Sequence, residues 1–160
     1  MEFMNTKMIY DFVSFHEVAE ELAKNLENHY DDVKEKDDYG RPDLDWDIYL
    51  QLSLAGKCKV VTAREGKLVG YSVFCIGNNL NHKGVIEASN AGIFIDKEYR
   101  GKITLELIRL SDEYLKEIGV METIYVLKDD RIGTLLKRAK YKARHTVWSN
   151  RYDAISSSSN

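Results

Sequence analysis

Residues 93–104 read Ile93-Phe94-Ile95-Asp96-Lys97-Glu98-Tyr99-Arg100-Gly101-Lys102-Ile103-Thr104. An apolar strand here runs into a basic turn that contains a glycine, and the turn opens an amphipathic helix. At such a junction, unpaired backbone N–H groups and the positive end of the helix dipole converge on one spot. Arg100 and Lys102 add two cations there. The stretch therefore predicts a site for an anion such as a phosphate or a pyrophosphate.

The bulk composition indicates a single soluble domain. The chain has 160 residues, of which 44% are hydrophobic and 31% charged, and this length can bury a core without disulfide or metal staples. No apolar run approaches the ~20 residues that span a bilayer, and no secretory signal is visible. We therefore expect one domain over residues 1–160 and no contact with a membrane. Residues 1–3 precede a second methionine and are expected to be additional to the domain, and residues 156–160 to form a disordered tail.

The two cysteines, Cys58 and Cys75, fall in two adjacent predicted strands without the spacing of metal ligands. The four histidines stand singly along the chain. We expect reduced thiols in the core, a cytoplasmic location and no metal site.

Charge is distributed unevenly along the chain. Residues 14–49 contain twelve acidic and four basic residues, a net charge of −8, so the remainder carries +5 within the overall −3. An acidic region beside a basic one suits a cationic amine substrate and an anionic cofactor, because complementary fields steer both. A solvated acidic face accounts for the same pattern. Nucleic acid is an unlikely partner for an acidic chain that has no basic, aromatic-studded stripe.

Periodicity and turn signals predict the order of the elements. Ser14 and Glu17 form a capping box that starts the first helix, Gly119 ends the third, and residues 64–67 form a hairpin turn. The predicted elements are a strand at 8–13, a helix at 15–30, a loop at 31–43, a helix at 45–54, strands at 59–63, 68–76 and 85–95, a helix at 103–118, a strand at 122–127, a helix at 129–138 and a closing strand or hairpin at 142–152.

The run Tyr99-Arg100-Gly101-Lys102 resembles the acyl-CoA-binding segment of the GNAT superfamily of N-acetyltransferases, whose usual pattern is Arg/Gln-x-x-Gly-x-Gly/Ala. Similar local matches are Lys67-Leu68-Val69-Gly70-Tyr71, Asp112-Glu113-Tyr114-Leu115-Lys116-Glu117-Ile118-Gly119-Val120 and Leu135-Leu136-Lys137-Arg138-Ala139-Lys140-Tyr141. The chain departs from the pattern in being one residue short after Lys102, with Thr104 where a glycine is usual. The acidic loop and the Trp46-x-x-Tyr49 helix resemble bacteriophage-encoded members.

The resemblance covers nearly the whole chain and implies its fold class. That class is α/β (α+β), a GNAT-like fold with a central mixed, mostly antiparallel sheet of about six to seven strands flanked by about four helices. A threonine at 104 would bring a Cβ close to the approach of the pyrophosphate, where glycine is favoured.

The resemblance also implies an acetyl-CoA (CoA) cofactor and the residues that bind it. The backbone of Ile93, Phe94 and Ile95 would pair with the pantetheine amides, and the amide of Phe94 or Ile95 would serve as the oxyanion donor. The pyrophosphate would be held by the turn, which comprises Arg100, Gly101, Lys102, Ile103 and Thr104.

For catalysis, Glu87 is the sequence's candidate general base, because it is the only carboxylate between Glu65 and Asp96. Ser89 or Asn90 could hold a water that relays the proton, and an exposed strand glutamate is the alternative for Glu87. Tyr141 is the candidate general acid for the departing thiolate, or else a structural aromatic. The family's usual tyrosine position is Leu136 here.

The acceptor is predicted to bind between residues 29 and 52. Asp37, Asp38, Tyr39, Asp45, Trp46 and Tyr49 could receive a cation there. For Trp46 and Tyr49, packing into the core is the alternative.

Three functions remain open from the sequence. The first is transfer of acetyl from acetyl-CoA to a primary amine of a protein or small molecule. The second is a GNAT-fold protein that has lost catalysis and binds a partner, for example a phage inhibitor of a host protein. The third is modification of nucleobases, against which the net charge argues. Thr104 and Leu136 favour the second function, and the intact Tyr99-Arg100-Gly101-Lys102 favours the first.

Overall fold

The computed structural model describes residues 7–32, 43–127 and 131–152, with the backbone alone at 30–32. The predicted loop at 31–43 lies almost entirely outside these residues, as do residues 1–3 and 156–160. The elements in chain order are β1 (Ile9–Ser14), α1 (Phe15–Asp32), α2 (Trp46–Leu54), β2 (Cys58–Glu65), β3 (Lys67–Asn78), β4 (Ile86–Ile95), a 3-10 turn (Lys97–Tyr99), α3 (Thr104–Glu117), β5 (Glu122–Ile124) and α4 (Gly133–Arg138).

One mixed sheet organises the described residues, with strand order β1-β2-β3-β4-β5. The first three pairings are antiparallel, and β4 pairs with β5 in parallel through the crossover helix α3. This confirms the predicted mixed, mostly antiparallel sheet with four helices. The described part of the chain contains five strands rather than six to seven.

The helices cover both faces of the sheet. The capping box is confirmed, because the backbone N–H of Ser14 donates to Glu17 Oε2 at 2.8 Å. Phe15, the first residue of α1, is buried on one face. The ring of Tyr49 in α2 stacks on it at 4.9 Å, and the ring of Trp46 lies tilted against it at 5.8 Å. These two half-buried aromatics therefore pack against the core, which is the alternative that the sequence left open, and their role as cation receptors stays a prediction.

Helix α3 covers the opposite face. Its fully buried Leu107 and Leu115 pack against Val61 and Phe74 of the sheet. The amphipathic pattern places this helix so that its N-terminus lies directly after the end of β4. No helix among the described residues combines the length and hydrophobicity needed to cross a membrane.

The closing strand that the sequence predicts at 142–152 is not formed in the structure. These residues form no helix or strand, and they make no strand pairing with the described part of the sheet. Their composition suits a strand, yet a strand needs a partner edge, and this segment pairs with none of the described strands.

Helix α4 ends with a residue in the left-handed region. Lys140 has a φ of 72°. Its N–H donates to the carbonyl of Lys137 at 3.1 Å, and the N–H of Tyr141 donates to that of Leu136 at 2.9 Å, which is the Schellman pattern. Lys140 thus occupies a place where glycine is favoured, and α3 uses Gly119 at its equivalent place, with a φ of 95°.

We expect Lys140→Gly to stabilise the protein by up to about 1 kcal/mol, because a non-glycine residue pays a steric cost at positive φ. Thermal unfolding would show a midpoint raised by about 2–4 °C for a chain of this size. Lys140→Ala is the matched control, since it removes the charge and keeps the Cβ. An equal rise in both variants would attribute the gain to charge and contradict the backbone explanation.

Candidate active site

The parallel pair β4–β5 is a short ladder that opens into a fork. The register joins Glu87, Ala88 and Ser89 to Glu122, Thr123 and Ile124, and then ends. From Asn90 to Ile95, β4 keeps β3 on one side and has no strand on the other among the described residues. Six residues of β4 therefore offer one free backbone edge.

A β-bulge lies at the mouth of the fork. Val73 of β3 pairs with Gly92, but the next residue, Phe74, pairs with Asn90, so Ala91 is an extra residue in β4. The Asn90 side-chain amide fills the bulge, donating to Ser72 Oγ at 2.8 Å with longer contacts to the carbonyls of Val73 and Gly92. A bulge bends its strand and increases its twist. This bend carries β4 away from the line of β5.

The peptide groups beyond the bulge alternate between the two edges of β4. The N–H of Asp96 donates to Val69 of β3 at 2.8 Å, and the carbonyl of Phe94 also faces β3. Because neighbouring residues of a strand direct their peptide groups to opposite edges, Ile93 and Ile95 face the fork. Phe94, one of the two oxyanion donors expected from the sequence, has the wrong orientation, whereas Ile95 keeps the right one and Ile93 gains it.

Gly70 of β3 allows this part of β4 to lie close. A Cβ at position 70 would stand 3.2 Å from the Phe94 carbonyl oxygen and 3.3 Å from Ile95 Cγ1. Both distances are tighter than ordinary van der Waals contact. The Leu68-Val69-Gly70-Tyr71 match in the sequence thus has a physical reason, since a side chain at position 70 would push against Phe94 and Ile95 in the open half of β4.

The basic turn leads from β4 into α3. The N–H groups of Lys102 and Ile103 both donate to the carbonyl of Tyr99, at 3.1 and 3.3 Å. Gly101 has a φ of 81°, and Arg100 folds back so that its Nε donates to the Ile95 carbonyl at 2.9 Å. The turn brings the predicted cations to the end of the fork.

The N-terminus of α3 has no side-chain cap. The N–H groups of its first turn therefore lack intrahelical acceptors and point out of the helix end. Thr104 is buried, and its Oγ1 accepts a long hydrogen bond, 3.4 Å, from the N–H of Gly101. The threonine side chain is thus turned inward, and its hydroxyl engages one N–H that an anion would otherwise use.

A polar cluster lies beside the fork on the α3 face. The Tyr141 hydroxyl donates to Asp112 Oδ1 of α3. Tyr125, just after β5, stands edge-on to Tyr141 at 5.4 Å and to Phe74 at 6.1 Å, and its buried hydroxyl has no hydrogen-bond partner in the described part of the protein. Burial raises the pKa of Tyr141, of Tyr125 and of Asp112. Both phenols therefore keep their protons at neutral pH.

Glu87 lies at the far end of β4 from the basic turn. It pairs with Gly77 and Glu122 in the closed part of the sheet, and the Asn79 side-chain amide donates to its carboxylate. It lies five positions before Gly92, a distance of about 15 Å at the rise of a strand. The structure therefore does not bring Glu87 to the open half of β4, where the other predicted site residues meet.

Solved structures of other proteins have a similar fold. The chain superposes with TM-score 0.71 on an aminoglycoside acetyltransferase from an uncultured soil metagenomic sample, at 16% identity over 96% of this chain and 100% of the other. The ribosomal-protein-alanine N-acetyltransferase of Brucella melitensis biovar Abortus 2308 gives 0.70 at 18% identity, over 91% and 98%. The chain has a GNAT-like fold. No family model and no curated protein sequence matches it.

A third structure with the GNAT-like fold contains a ligand. It is AAC(6')-Iy in complex with the bisubstrate analog CoA-S-monomethyl-acetylneamine, with TM-score 0.62 and 13% identity over 92% of this chain and 99% of the other. At these identities the similarity establishes the fold and leaves the activity of this chain to be argued from its own residues.

On the other face of the GNAT-like sheet, a histidine covers the open half of β4. His29, near the end of α1, stacks on Phe94 with ring centroids 4.1 Å apart, and its Nδ1 lies 3.4 Å from the Tyr71 hydroxyl. Burial, with a contribution from the charge of Asp96, raises the pKa of Tyr71 to about 12. From the sequence, His29 marks only the start of the predicted acceptor region. No local motif reveals its contact with Tyr71, which lies 42 positions further along the chain.

The two cysteines lie side by side on the same face of the sheet as His29. Cys58 and Cys75 are directly opposite one another on β2 and β3, and both are free thiols, the first buried and the second half-buried. The hydrogen bond between the two thiols lowers the pKa of Cys75 to about 7 and raises that of Cys58. The described residues include no group of three or more His, Cys, Asp or Glu side chains that could hold a metal ion.

Alkylation of Cys75 by iodoacetamide should become half-maximal near pH 7, because the thiolate is the reactive form and Cys58 stabilises it. In Cys58→Ala the midpoint should rise toward about 8.5, the ordinary value of a free thiol. Cys58→Ser is the control that keeps a donor. The explanation is wrong if the alkylation midpoints of the Ala and Ser variants coincide.

Proposed function

We propose that the protein is an N-acetyltransferase that moves the acetyl group of acetyl-CoA to a primary amine of a protein or small molecule. The observation that carries this proposal is the fork, in which an open backbone edge on β4 ends at a basic turn and an uncapped helix N-terminus. A long ligand with amides at one end and phosphates at the other suits such a slot. The neighbouring structure with a CoA-derived analog supports this fit.

Different residues of this chain would bind different parts of the proposed cofactor. The carbonyl of Ile93 and the N–H of Ile95 would pair with the amides of pantetheine, as an added strand pairs with a sheet edge. The Ile95 carbonyl already accepts from Arg100, so Arg100 would hold the strand end in place. Gly101, Lys102, Ile103 and Thr104 would hold the pyrophosphate at the start of α3. When bound, the cofactor supplies an activated acyl thioester.

We assign the oxyanion role to the N–H of Ile93. Its peptide group faces the fork directly after the bulge. A backbone N–H fixed by strand geometry needs no reorganisation when negative charge develops on the acyl oxygen, and such donors contribute several kcal/mol to catalysis.

The incoming amine must lose a proton, and two groups compete for this role. Glu87, the candidate from the sequence, would have to act through a chain of waters, because it lies about 15 Å along the strand from Gly92. His29 lies against the open half of β4 and is the nearer titratable group. Histidine is the side chain that acts most often as a general base, because its neutral imidazole can accept a proton.

The acceptor is proposed to be a cationic amine. Residues 14–49 carry the net charge of −8, and α1 and α2, which belong to this region, lie on the face that His29 covers. The soil aminoglycoside acetyltransferase and its complex with sisomicin support an amine of this kind. A cytoplasmic setting and a bacteriophage origin belong to the proposal on the strength of the sequence alone.

A catalytically weak or inactive binding protein is the second candidate. Leu136, at the family's tyrosine position, is buried and has no hydroxyl that could donate a proton. The Thr104 hydroxyl accepts a hydrogen bond from the N–H of Gly101, which an anion would otherwise use. Both features would lower activity without disturbing the fold. A host protein bound by the acidic half would then be the partner.

Calorimetric titration should show acetyl-CoA binding to the wild type. Arg100→Ala with Lys102→Ala should weaken it at least tenfold, because hydrogen bonds to charged groups are worth about 1.5–3 kcal/mol each. Lys97→Ala is the matched control, an exposed lysine in the preceding 3-10 turn, and should bind as the wild type does. Absence of binding to the wild type would overturn the enzyme proposal and favour the binding protein.

Removal of the Tyr141 hydroxyl tests whether this residue donates a proton. If it is the general acid, Tyr141→Phe lowers kcat by about 10²-fold or more and leaves the KM for acetyl-CoA unchanged. Tyr49→Phe, on the opposite face against Phe15, is the control. A lower unfolding temperature with an unchanged kcat would show instead that Tyr141 is structural and acts through Asp112.

A further inference from the structure

The two cysteines of the chain occupy opposite places on neighbouring strands. Cys58 is the first residue of β2 and is fully buried, and Cys75 of β3, its partner in the antiparallel register, is half-buried. Both are free thiols, and the sequence contains no other cysteine. The proposed transfer of an acetyl group uses neither of them. Two thiols in this relation can form a bond with each other, which a single buried thiol cannot do.

The backbone hydrogen bonds show which kind of cross-strand pair the cysteines form. The N–H of Ile76 donates to the carbonyl of Lys57 at 2.8 Å, so the pair next to the cysteines is a hydrogen-bonded pair. Because the two kinds of pair alternate along an antiparallel ladder, Cys58 and Cys75 form a non-hydrogen-bonded pair, in which the Cα atoms lie about 4.5 Å apart. Disulfides span Cα distances of about 4.4–6.8 Å. The two sulfurs can therefore be joined with little movement of the backbone.

We propose that Cys58 and Cys75 form a reversible disulfide when the folded protein meets a hydroperoxide. The pair is then an oxidation site of this chain. This inference does not rest on the proposed enzymatic function.

Cys75 is the thiol that reacts first. It is the member of the pair that solvent can reach, and the hydrogen bond with Cys58 lowers its pKa to about 7. The thiolate is the nucleophilic form of cysteine, so a large share of Cys75 is reactive at neutral pH. Oxidation of thiols follows thiolate character and exposure, and sensor thiols often stand beside a second thiol. Cys75 combines these three properties.

The first step is an attack of the Cys75 thiolate on one oxygen of the hydroperoxide. A bond forms between sulfur and that oxygen, and the bond between the two oxygens breaks. Cys75 becomes a sulfenic acid. The second oxygen leaves as hydroxide or alkoxide and takes a proton from solvent, which gives water or an alcohol.

The second step joins the two cysteines. The sulfur of Cys58 attacks the sulfur of the sulfenic acid, the S–S bond forms and the S–O bond breaks. The hydroxide that leaves takes the Cys58 proton and becomes water, so the two sulfurs together have lost two electrons to the hydroperoxide. The hydrogen bond to Cys75 is the main reason for the raised pKa of Cys58. This cause disappears when Cys75 is oxidised, so the first step prepares Cys58 for the second.

The surroundings of the pair favour a bond within one chain. Tyr49 of α2 packs against the same cluster of buried residues as the two cysteines. Burial raises the pKa of Tyr49, and the charges of Cys75 and Cys58 raise it further, so the phenol lies near both sulfurs. A small hydroperoxide can reach a half-buried sulfur in this setting, whereas the thiol of a second protein molecule would need a wider opening.

The pair also lies at the level where the fork opens. Cys75 is opposite Ser89 of β4, which is the last residue of the β4–β5 ladder. The next pair joins Phe74 to Asn90, the residue that fills the bulge. A disulfide would therefore add a covalent link between β2 and β3 beside the part of the sheet that shapes the fork.

Intact mass measured on the full chain tests the proposal. The reduced protein is treated with hydrogen peroxide under native conditions, then denatured in an excess of iodoacetamide. The treated wild type should have lost two hydrogen atoms and should carry no alkyl group, whereas untreated protein should carry two. Dithiothreitol, added after the peroxide, should restore alkylation of both cysteines.

Two serine variants separate the roles of the thiols. Cys58→Ser keeps the reactive thiol and removes its partner, so its oxidation should stop at a sulfenic acid that dimedone traps. Cys75→Ser keeps only the buried thiol, which peroxide should oxidise roughly tenfold or more slowly than it oxidises the wild type. Equal unfolding temperatures before treatment would show that both variants are folded. The wild-type result does not depend on the folding of either variant.

Several outcomes would overturn the proposal. They are two alkyl groups on the treated wild type, covalently joined pairs of chains, oxygen added without loss of hydrogen, or a product that dithiothreitol does not reduce. Equal rates of thiol loss in the wild type and in Cys75→Ser would also overturn it, because the reaction would then pass through an opened chain and not through the exposed thiol of the folded one.

Discussion

The separation of β4 from β5 is the constraint on which the rest of the molecule depends. Two parallel strands joined by a helix would ordinarily pair along their full length and leave no slot. Here the ladder stops after Ser89, because Ala91 is an extra residue that bends β4 at that point. The free edge, the position of the basic turn and the orientation of α3 all follow from this one insertion.

The fork is maintained by small side-chain choices on both strands that flank it. Asn90 supplies the amide that keeps the bulge filled, and Gly70 supplies the missing Cβ that lets Phe94 and Ile95 stay close to β3. One residue acts by the hydrogen bonds that it adds and the other by the atoms that it lacks. Both residues position the backbone that would do the chemistry.

Much of the fold follows from local sequence signals. The capping box at Ser14, the hairpin turn at 64–67 and the glycine after α3 mark their elements because each acts within a few residues. The bulge could not be predicted, since Ala91 becomes an extra residue only when β3 and β4 are placed side by side. The direction of each peptide group in β4 also depends on the register with β3. The sequence alone therefore could not exclude Phe94 as the oxyanion donor.

The candidate site was predicted in part. The open half of β4 and the basic turn are adjacent in the chain, so their proximity is a local property that the sequence expresses. The contacts of His29 with Phe94 and of Tyr141 with Asp112 join distant segments. Such contacts depend on how the helices settle on the sheet. The prediction of a strand at 142–152 was wrong for a related reason. The composition of a segment can favour a strand, but it does not determine which sheet edge would pair with it.

The brevity of the β4–β5 ladder divides the molecule mechanically. In the described part of the chain, a ladder of three residue pairs joins β5 to β4, so β5 is held to the four antiparallel strands by few backbone hydrogen bonds. Local opening concentrates where few hydrogen bonds must break. The distance between β4 and β5 is therefore the dimension of this protein that changes at the lowest cost. Small rotations at Ser89 would alter the width of the slot while the four antiparallel strands keep their shape.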